Sequence, residues 1–109
     1  MKKILTGIAA SPGLAEGIVK IVSGLKDMPS FREGYILVTE MTEPSMVIMM
    51  NKASAIITDK GGLTSHPAII SRELGIPCVV ATKVATSSLK NGMKVRVDGT
   101  KGKVYLISK

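Results

Sequence analysis

Short apolar runs alternate with turn-forming clusters along this chain, and the spacing of the apolar positions separates strands from helices. Ala15 to Ser23 (AEGIVKIVS) and Tyr35 to Thr39 (YILVT) are rich in β-branched residues and bounded by turn formers, which predicts two strands. Pro44 to Lys52 (PSMVIMMNK) predicts a short helix, because proline suits a first helical turn and Met46, Met49 and Met50 recur at helical spacing. Ala55 to Thr58 (AIIT) predicts a buried strand that delivers the chain into a glycine pair, Gly61 and Gly62. Cys78 to Ala81 (CVVA) predicts another strand, and Met93 to Val97 with Lys103 to Ile107 predicts a closing hairpin turned by Asp98-Gly99-Thr100-Lys101-Gly102. Residues 24–34 (GLKDMPSFREG) read as the longest irregular connection. With no repeat, linker or low-complexity segment, the pattern describes one mixed α/β domain, richer in strand, over residues 1–109.

The stretch GGLTSHPAIISRELGIP, residues 61–77, predicts a second helix with both ends marked. Gly75 follows the last periodic residue and Pro77 lies two beyond it, a stop signal, while Ile70 and Leu74 at i and i+4 supply a buried stripe. At the other end, Pro67 fits the first helical position and disfavours the α conformation in the residue before it, which predicts His66 at the N-cap.

Composition narrows this picture. A chain of 109 residues buries one core without disulfides or metal, and with 45% hydrophobic residues but only two tyrosines, one phenylalanine and no tryptophan that core is built from Ile, Val, Leu, Ala and Met. The single cysteine, Cys78, has no internal disulfide partner, and the start MKKIL carries no secretory signal pattern, so a cytoplasmic location is expected. No run approaches the ~18 to 20 apolar residues of a membrane span. The net charge of +7 is spread over scattered lysines with no interleaved aromatics, which argues against nucleic acid and leaves a solvated basic face or an acidic partner.

His66, the sole histidine, is the candidate for chemistry. At a helix N-terminus the free N–H groups and the dipole favour an anion, and a neutral imidazole there offers a ring-nitrogen lone pair as a nucleophile. Thr64 and Ser65 add hydroxyls, and Gly61 and Gly62 let the backbone approach a ligand closely. Together they suit a phosphoryl group carried on nitrogen; the plainer alternative is a histidine that caps a helix beside glycines that turn the chain.

GGLTSHPAIISRELGIPCVV resembles the phosphohistidine signature of the phosphoenolpyruvate-utilising enzymes, the family of pyruvate phosphate dikinase, phosphoenolpyruvate synthase and enzyme I of the sugar phosphotransferase system. Ala10-Ser11-Pro12-Gly13, Gly34 to Thr39 with Met41-Thr42-Glu43-Pro44, Thr58-Asp59, and Val97-Asp98-Gly99 are similar to the mobile domain of that family, in the same order. The resemblance implies a swivelling domain of β/β/α three-layer architecture whose histidine takes a phosphoryl group at one active site and gives it up at another. It implies His66 as the phosphorylated residue, Thr64 and Ser65 as flanking hydroxyls, and Gly61 and Gly62 as the presenting loop.

Arg72 also matches the motif, but six residues past His66 on a straight helix it faces away from the phosphate, which assigns it to a salt link or partner contact. Pro67 stands where the family usually has a small residue, and removes one N–H from the helix terminus. The resemblance further implies a nucleotide-binding partner and a barrel that binds pyruvate or phosphoenolpyruvate, with Mg²⁺ and ATP or phosphoenolpyruvate at those partner sites and no cofactor on this chain alone. Neither partner fits in 109 residues. The start at MKKIL and the finish at VYLISK favour a free-standing subunit over an excised domain. The competing functional reading is a non-catalytic interaction module that retains the swivelling fold.

The remaining candidates have structural readings. Met46, Met49 and Met50 are assigned to core rather than to an adaptable docking face. Cys78 is assigned to inert packing. Asp59 and Glu73 are assigned to turn or surface roles rather than to orienting His66 or holding a metal, and no metal site is assigned.

Overall fold

Three strands in this chain are apolar apart from a terminal threonine in two of them, and that decides where they lie. β4 (Ile36–Thr39), β5 (Ala55–Thr58) and β6 (Cys78–Val80) are buried at every residue in the computed structural model, which describes residues 1–109. Strands buried on both faces pair in parallel inside a covered sheet, and β4 pairs with β5 and β5 with β6 in that sense, Leu37 opposite Ile56 and Ile57 opposite Val79. The other strands are β1 (Lys2–Thr6), β2 (Ile8–Ser11), β3 (Leu14–Ile21), β7 (Lys94–Asp98) and β8 (Lys103–Ser108), in the overall order β1-β8-β7-β3-β4-β5-β6-β2.

β3 belongs to two sheets. Leu14 to Ile18 run antiparallel to β7, and Val19 to Ile21 run parallel to β4. The alternation hidden in AEGIVKIVS is that of a strand with one outer face, Leu14, Glu16 and Ile18 all being exposed. β1, β8, β7 and the first half of β3 form an antiparallel sheet that stacks on the parallel one, with Leu5, Val95, Val97 and Val104 meeting Val38, Ile57 and Val79 between them.

The opposite face of the parallel sheet is covered by helices. Leu37, Ile56, Cys78 and Val80 pack there against Met46, Met49 and Met50 of the α1 region (α1, Val47–Lys52) and against Ala68 of α2 (His66–Leu74). The molecule is therefore a β/β/α three-layer domain, as the resemblance implies, and the single core expected from chain length is divided into two by the parallel sheet. The methionines are core, at 3%, 0% and 0% exposure.

Several boundaries differ from the pattern-based reading. β1 and β2 carry too little periodic signal to be seen in advance, since only Leu5 is buried in β1, and Ala10 with Ser11 in β2. β2 exists because β6 offers it an edge, Ile8 pairing with Val80. The connection over residues 24–34 contains a 3-10 segment, Leu25–Ser30, and Pro44–Met46 form a 3-10 turn leading into α1. The one-turn helix α3 (Ala85–Ser88) is started by Asp59, whose carboxylate accepts the Thr86 N–H at 2.9 Å and its hydroxyl at 2.5 Å. Asp59 is thus a turn anchor, as expected.

Candidate phosphoryl-accepting site

The site assembles where β5 ends. Beyond Thr58 the chain turns through residues 59–65 and enters α2, whose apolar side packs on β2, β5 and β6. Gly61 sits at φ +114°, a conformation L residues rarely adopt, and a Cβ there would lie 2.9 Å from Ser65 Oγ. A Cβ added at Gly62 would meet nothing within 4 Å. The first glycine is therefore required by conformation and by close approach, whereas the second leaves the loop uncrowded.

The N-cap of α2 is Ser65, not His66. Ser65 has extended backbone angles (φ −73°, ψ 161°) and its carbonyl accepts the first helical bond, from Ile69 N–H at 3.0 Å. Proline biases the preceding residue away from the helical region without forbidding it, and that first bond draws His66 into the helix, leaving Pro67 at the second position. The Ser65 side chain does not cap; its hydroxyl donates to the Gly62 carbonyl at 2.8 Å, and its N–H reaches the same oxygen at 3.2 Å. The helix terminus consequently keeps unspent N–H donors at His66 and Ala68, since Pro67 has none. At the far end, Gly75 closes the helix in the left-handed conformation (φ 73°, ψ 28°) and donates to Ser71 O.

His66 is half-buried, and its ring is held from the side by a residue that the sequence does not single out. Thr42 Oγ1 lies 2.8 Å from Nδ1. Thr42 is 3% exposed and stands between β4 and the 3-10 turn, 24 residues upstream. In the tautomer with the proton on Nδ1, that N–H donates to Thr42 and Nε2 carries the lone pair, with no protein group bonded to it. Only the Met41-Thr42-Glu43-Pro44 portion of the resemblance pointed to this stretch; no local pattern could assign the hydroxyl to the imidazole.

Thr64 is exposed on the loop, beside the exposed Leu63. Of the two roles expected for Arg72, a salt link or a partner contact, the first is not made. Its Nη1 donates to Ala10 O at 2.7 Å and its Nη2 to Leu63 O at 2.6 Å. Helical side chains lean toward the N-terminus, so an arginine in the second turn reaches back to the loop that precedes the helix. Glu73 is exposed, and no group of three His, Cys, Asp or Glu side chains converges as a metal site. Cys78 lies beneath α2 at 0% exposure; burial pushes its thiol up to about 11, the Ser71 hydroxyl and the Arg72 charge pulling the other way. It is inert packing.

Chemically, the arrangement offers one oriented imidazole nitrogen with its second nitrogen engaged, at a helix N-terminus beside a glycine loop. Residues 31–102 match the family model described as PEP-utilising enzyme, mobile domain. The chain is 58% identical over 104 residues to a probable phosphoenolpyruvate synthase of Archaeoglobus fulgidus, covering 95% of this chain and 14% of that protein. It is 58% identical over 102 residues to the phosphoenolpyruvate synthase of Pyrococcus furiosus, covering 94% of this chain and 12% of that one. It thus spans a small fraction of these much longer relatives.

Among solved structures, an Enzyme I protein aligns at a TM-score of 0.60 with 38% identity, over 68% of this chain and 31% of that one. The aconitase X of Thermococcus kodakaraensis aligns at 0.71 with 26% identity, over 95% and 98%. The second likeness belongs to a protein named for different chemistry, so the fold alone does not carry an activity; the match along the sequence shows the family. The chain belongs to the mobile-domain family of the PEP-utilising enzymes.

Proposed function

We propose that this domain is a phosphohistidine carrier, accepting a phosphoryl group on His66 and passing it between a nucleotide-binding partner and a partner that binds pyruvate or phosphoenolpyruvate. The observation that carries the reading is the hydrogen bond between Thr42 Oγ1 and His66 Nδ1, which orients the ring and leaves Nε2 unengaged. In the transfer step the Nε2 lone pair forms a bond to phosphorus while the P–O bond to the leaving group breaks, its electron pair staying on the leaving oxygen. The Nδ1 proton remains on the Thr42 hydrogen bond, and the positive charge that develops on the ring is shared with that hydroxyl.

Gly61 and Gly62 would let the incoming group approach, and the free N–H groups of His66 and Ala68 and the hydroxyl of Thr64 are the donors available to it, while the Ser65 hydroxyl, expected beside them, donates to the Gly62 carbonyl and becomes available only when that bond opens. Mg²⁺ and ATP or phosphoenolpyruvate belong to the partner sites in this reading, and turnover requires those partners. The net charge of +7 suits docking on acidic partner surfaces, at rates that fall as salt screens them.

The test uses the Archaeoglobus synthase with its own motif histidine replaced by alanine, supplied with ATP and pyruvate. Adding this chain should give a phosphoryl adduct on His66 that is lost in acid and kept in alkali, together with partial recovery of turnover. The His66→Ala chain should give neither. A folded wild-type chain that stays unmodified would defeat the carrier reading and leave an interaction module with the swivelling fold.

A further inference from the structure

The glycine loop has few bonds of its own. Within it, the Ser65 N–H and hydroxyl both donate to the Gly62 carbonyl, and the backbone groups of residues 61–64 make no other hydrogen bond inside the loop. From outside, one group reaches residues 61–64: the Arg72 guanidinium, through Nη2 to Leu63 O at 2.6 Å. Its other arm, Nη1, is fixed 2.7 Å from Ala10 O, in β2. Arg72 therefore joins three parts of the molecule that lie apart in sequence: strand β2, the loop, and the helix that carries His66.

The two contacts use the shape of arginine. A planar fork of N–H groups spans two carbonyls at once, which a single ammonium cannot do from one position. The guanidinium has no carboxylate partner, and both oxygens it meets are backbone carbonyls, one on the loop and one in the edge strand β2. The imidazole has a separate tether, Thr42. The ring is thus held by a hydroxyl, while the loop that precedes it is held separately by a guanidinium.

We infer that Arg72 is a positioning residue for phosphoryl transfer at His66, acting through the Leu63 and Ala10 carbonyls to hold the loop of residues 61–65 in the conformation that receives the phosphoryl group. The inference rests on the carrier reading. Preorganisation of this kind acts on rate, because a donor group displaced by about 1 Å loses on the order of a hundredfold in transfer. It leaves binding of the donor little changed.

Phosphoramidate tests this without a partner protein. Nε2 attacks phosphorus, the P–N bond breaks, and ammonia leaves with its three protons while the positive charge passes to the imidazole ring. Rates of adduct formation on His66 and the lifetime of the adduct would be followed by ³¹P NMR in the full chain, for wild type, Arg72→Met, Arg72→Lys, Arg72→Ala and the control Glu73→Gln. The expected result is a fall of roughly tenfold or more in the limiting rate for Arg72→Met, with an unchanged half-saturating donor concentration, an intermediate rate for Arg72→Lys, and no change for Glu73→Gln.

Guanidinium ion at concentrations too low to unfold the chain should speed Arg72→Ala and not wild type, a response that a merely structural arginine would not produce. If Arg72→Met fails to fold, the lysine variant and the guanidinium response decide. A folded Arg72→Met or Arg72→Lys that reacts at the wild-type rate, or an Arg72→Ala indifferent to guanidinium, overturns the inference while the carrier reading stands. A wild-type chain that forms no adduct at His66 removes the carrier reading and the inference with it.

Discussion

The parallel strands and the loop they feed are built on opposite terms. In β4, β5 and β6 every residue is buried and the backbone is paired on both sides. In residues 61–65, Leu63 and Thr64 are exposed, and a single side-chain contact from outside holds the backbone of residues 61–64. Sheet residues owe their place to the removal of apolar area from water, a large and undirected effect. Loop residues owe theirs to a few directed hydrogen bonds, each worth about 1 kcal/mol net. For the proposed carrier the difference means that stability and transfer are separable: the sheet secures the end of β5, and the arrangement beyond it rests on Thr42, Gly61 and Arg72.

Substitutions can break that separation, and the largest effect is expected in the sheet. Ile57 is 0% exposed between the two sheets, and Ile57→Ala should cost about 2 to 5 kcal/mol in urea unfolding by leaving a cavity. Below its melting temperature, the variant should still accept a phosphoryl group at a rate within about twofold of wild type. A proportionate loss of transfer in a fully folded sample would mean that sheet and loop are one unit.

Thr42→Val tests the converse. Removing the hydroxyl frees the imidazole, which should lower the rate of His66 phosphorylation by roughly tenfold to a hundredfold, while the unfolding free energy changes by only about 1 kcal/mol. Equal rates for wild type and Thr42→Val would show that the hydrogen bond to Nδ1 has no part in the chemistry.

Gly61→Ala lies between the two regimes, because it strains backbone at φ +114° and drives a methyl group to 2.9 Å from the hydroxyl of the N-cap serine. A stability loss on the order of 1 to 3 kcal/mol is expected, accompanied by slower transfer. Gly62→Ala, with nothing within 4 Å of the added methyl group, should leave stability unchanged. Two variants that behave alike would contradict the distinction drawn between the glycines.

The smallest effect is read from pH. The buried Cys78 thiol has its pKa raised from 9.0 to about 11 in the folded chain. A raised folded-state value means that the unfolded chain releases the proton first, so the contribution is fully present below about pH 9 and declines as pH rises toward about 11. Wild type should therefore lose stability more steeply across that window than Cys78→Ala, although the variant is less stable at neutral pH through lost packing. Parallel slopes would mean that the thiol is not desolvated beneath α2.

The elements that anchor the site were legible before the structure, and they share a physical character. AIIT, CVVA and the helix ending in Gly75 are specified by local composition: runs long enough to be periodic, bounded by residues that can only turn. His66 at the start of that helix was legible for the same reason, through the proline beside it and the glycine loop before it, although its position relative to the cap was off by one residue. Such features depend on a chain segment and its immediate neighbours, and sequence alone determines them.

What lay beyond reach depends on pairs distant in sequence. β2 is a strand because the edge of β6 accepts it, α3 begins where Asp59 meets Thr86 27 residues on, Thr42 finds the imidazole 24 residues away, and Arg72 finds Ala10 across 62. A hydroxyl or a guanidinium has many possible partners, and its own neighbours do not choose among them. The choice falls to the layering of the two sheets and the helices, which brings β2, the loop and the residues after β4 around one end of α2 and so decides which directed bonds are within reach.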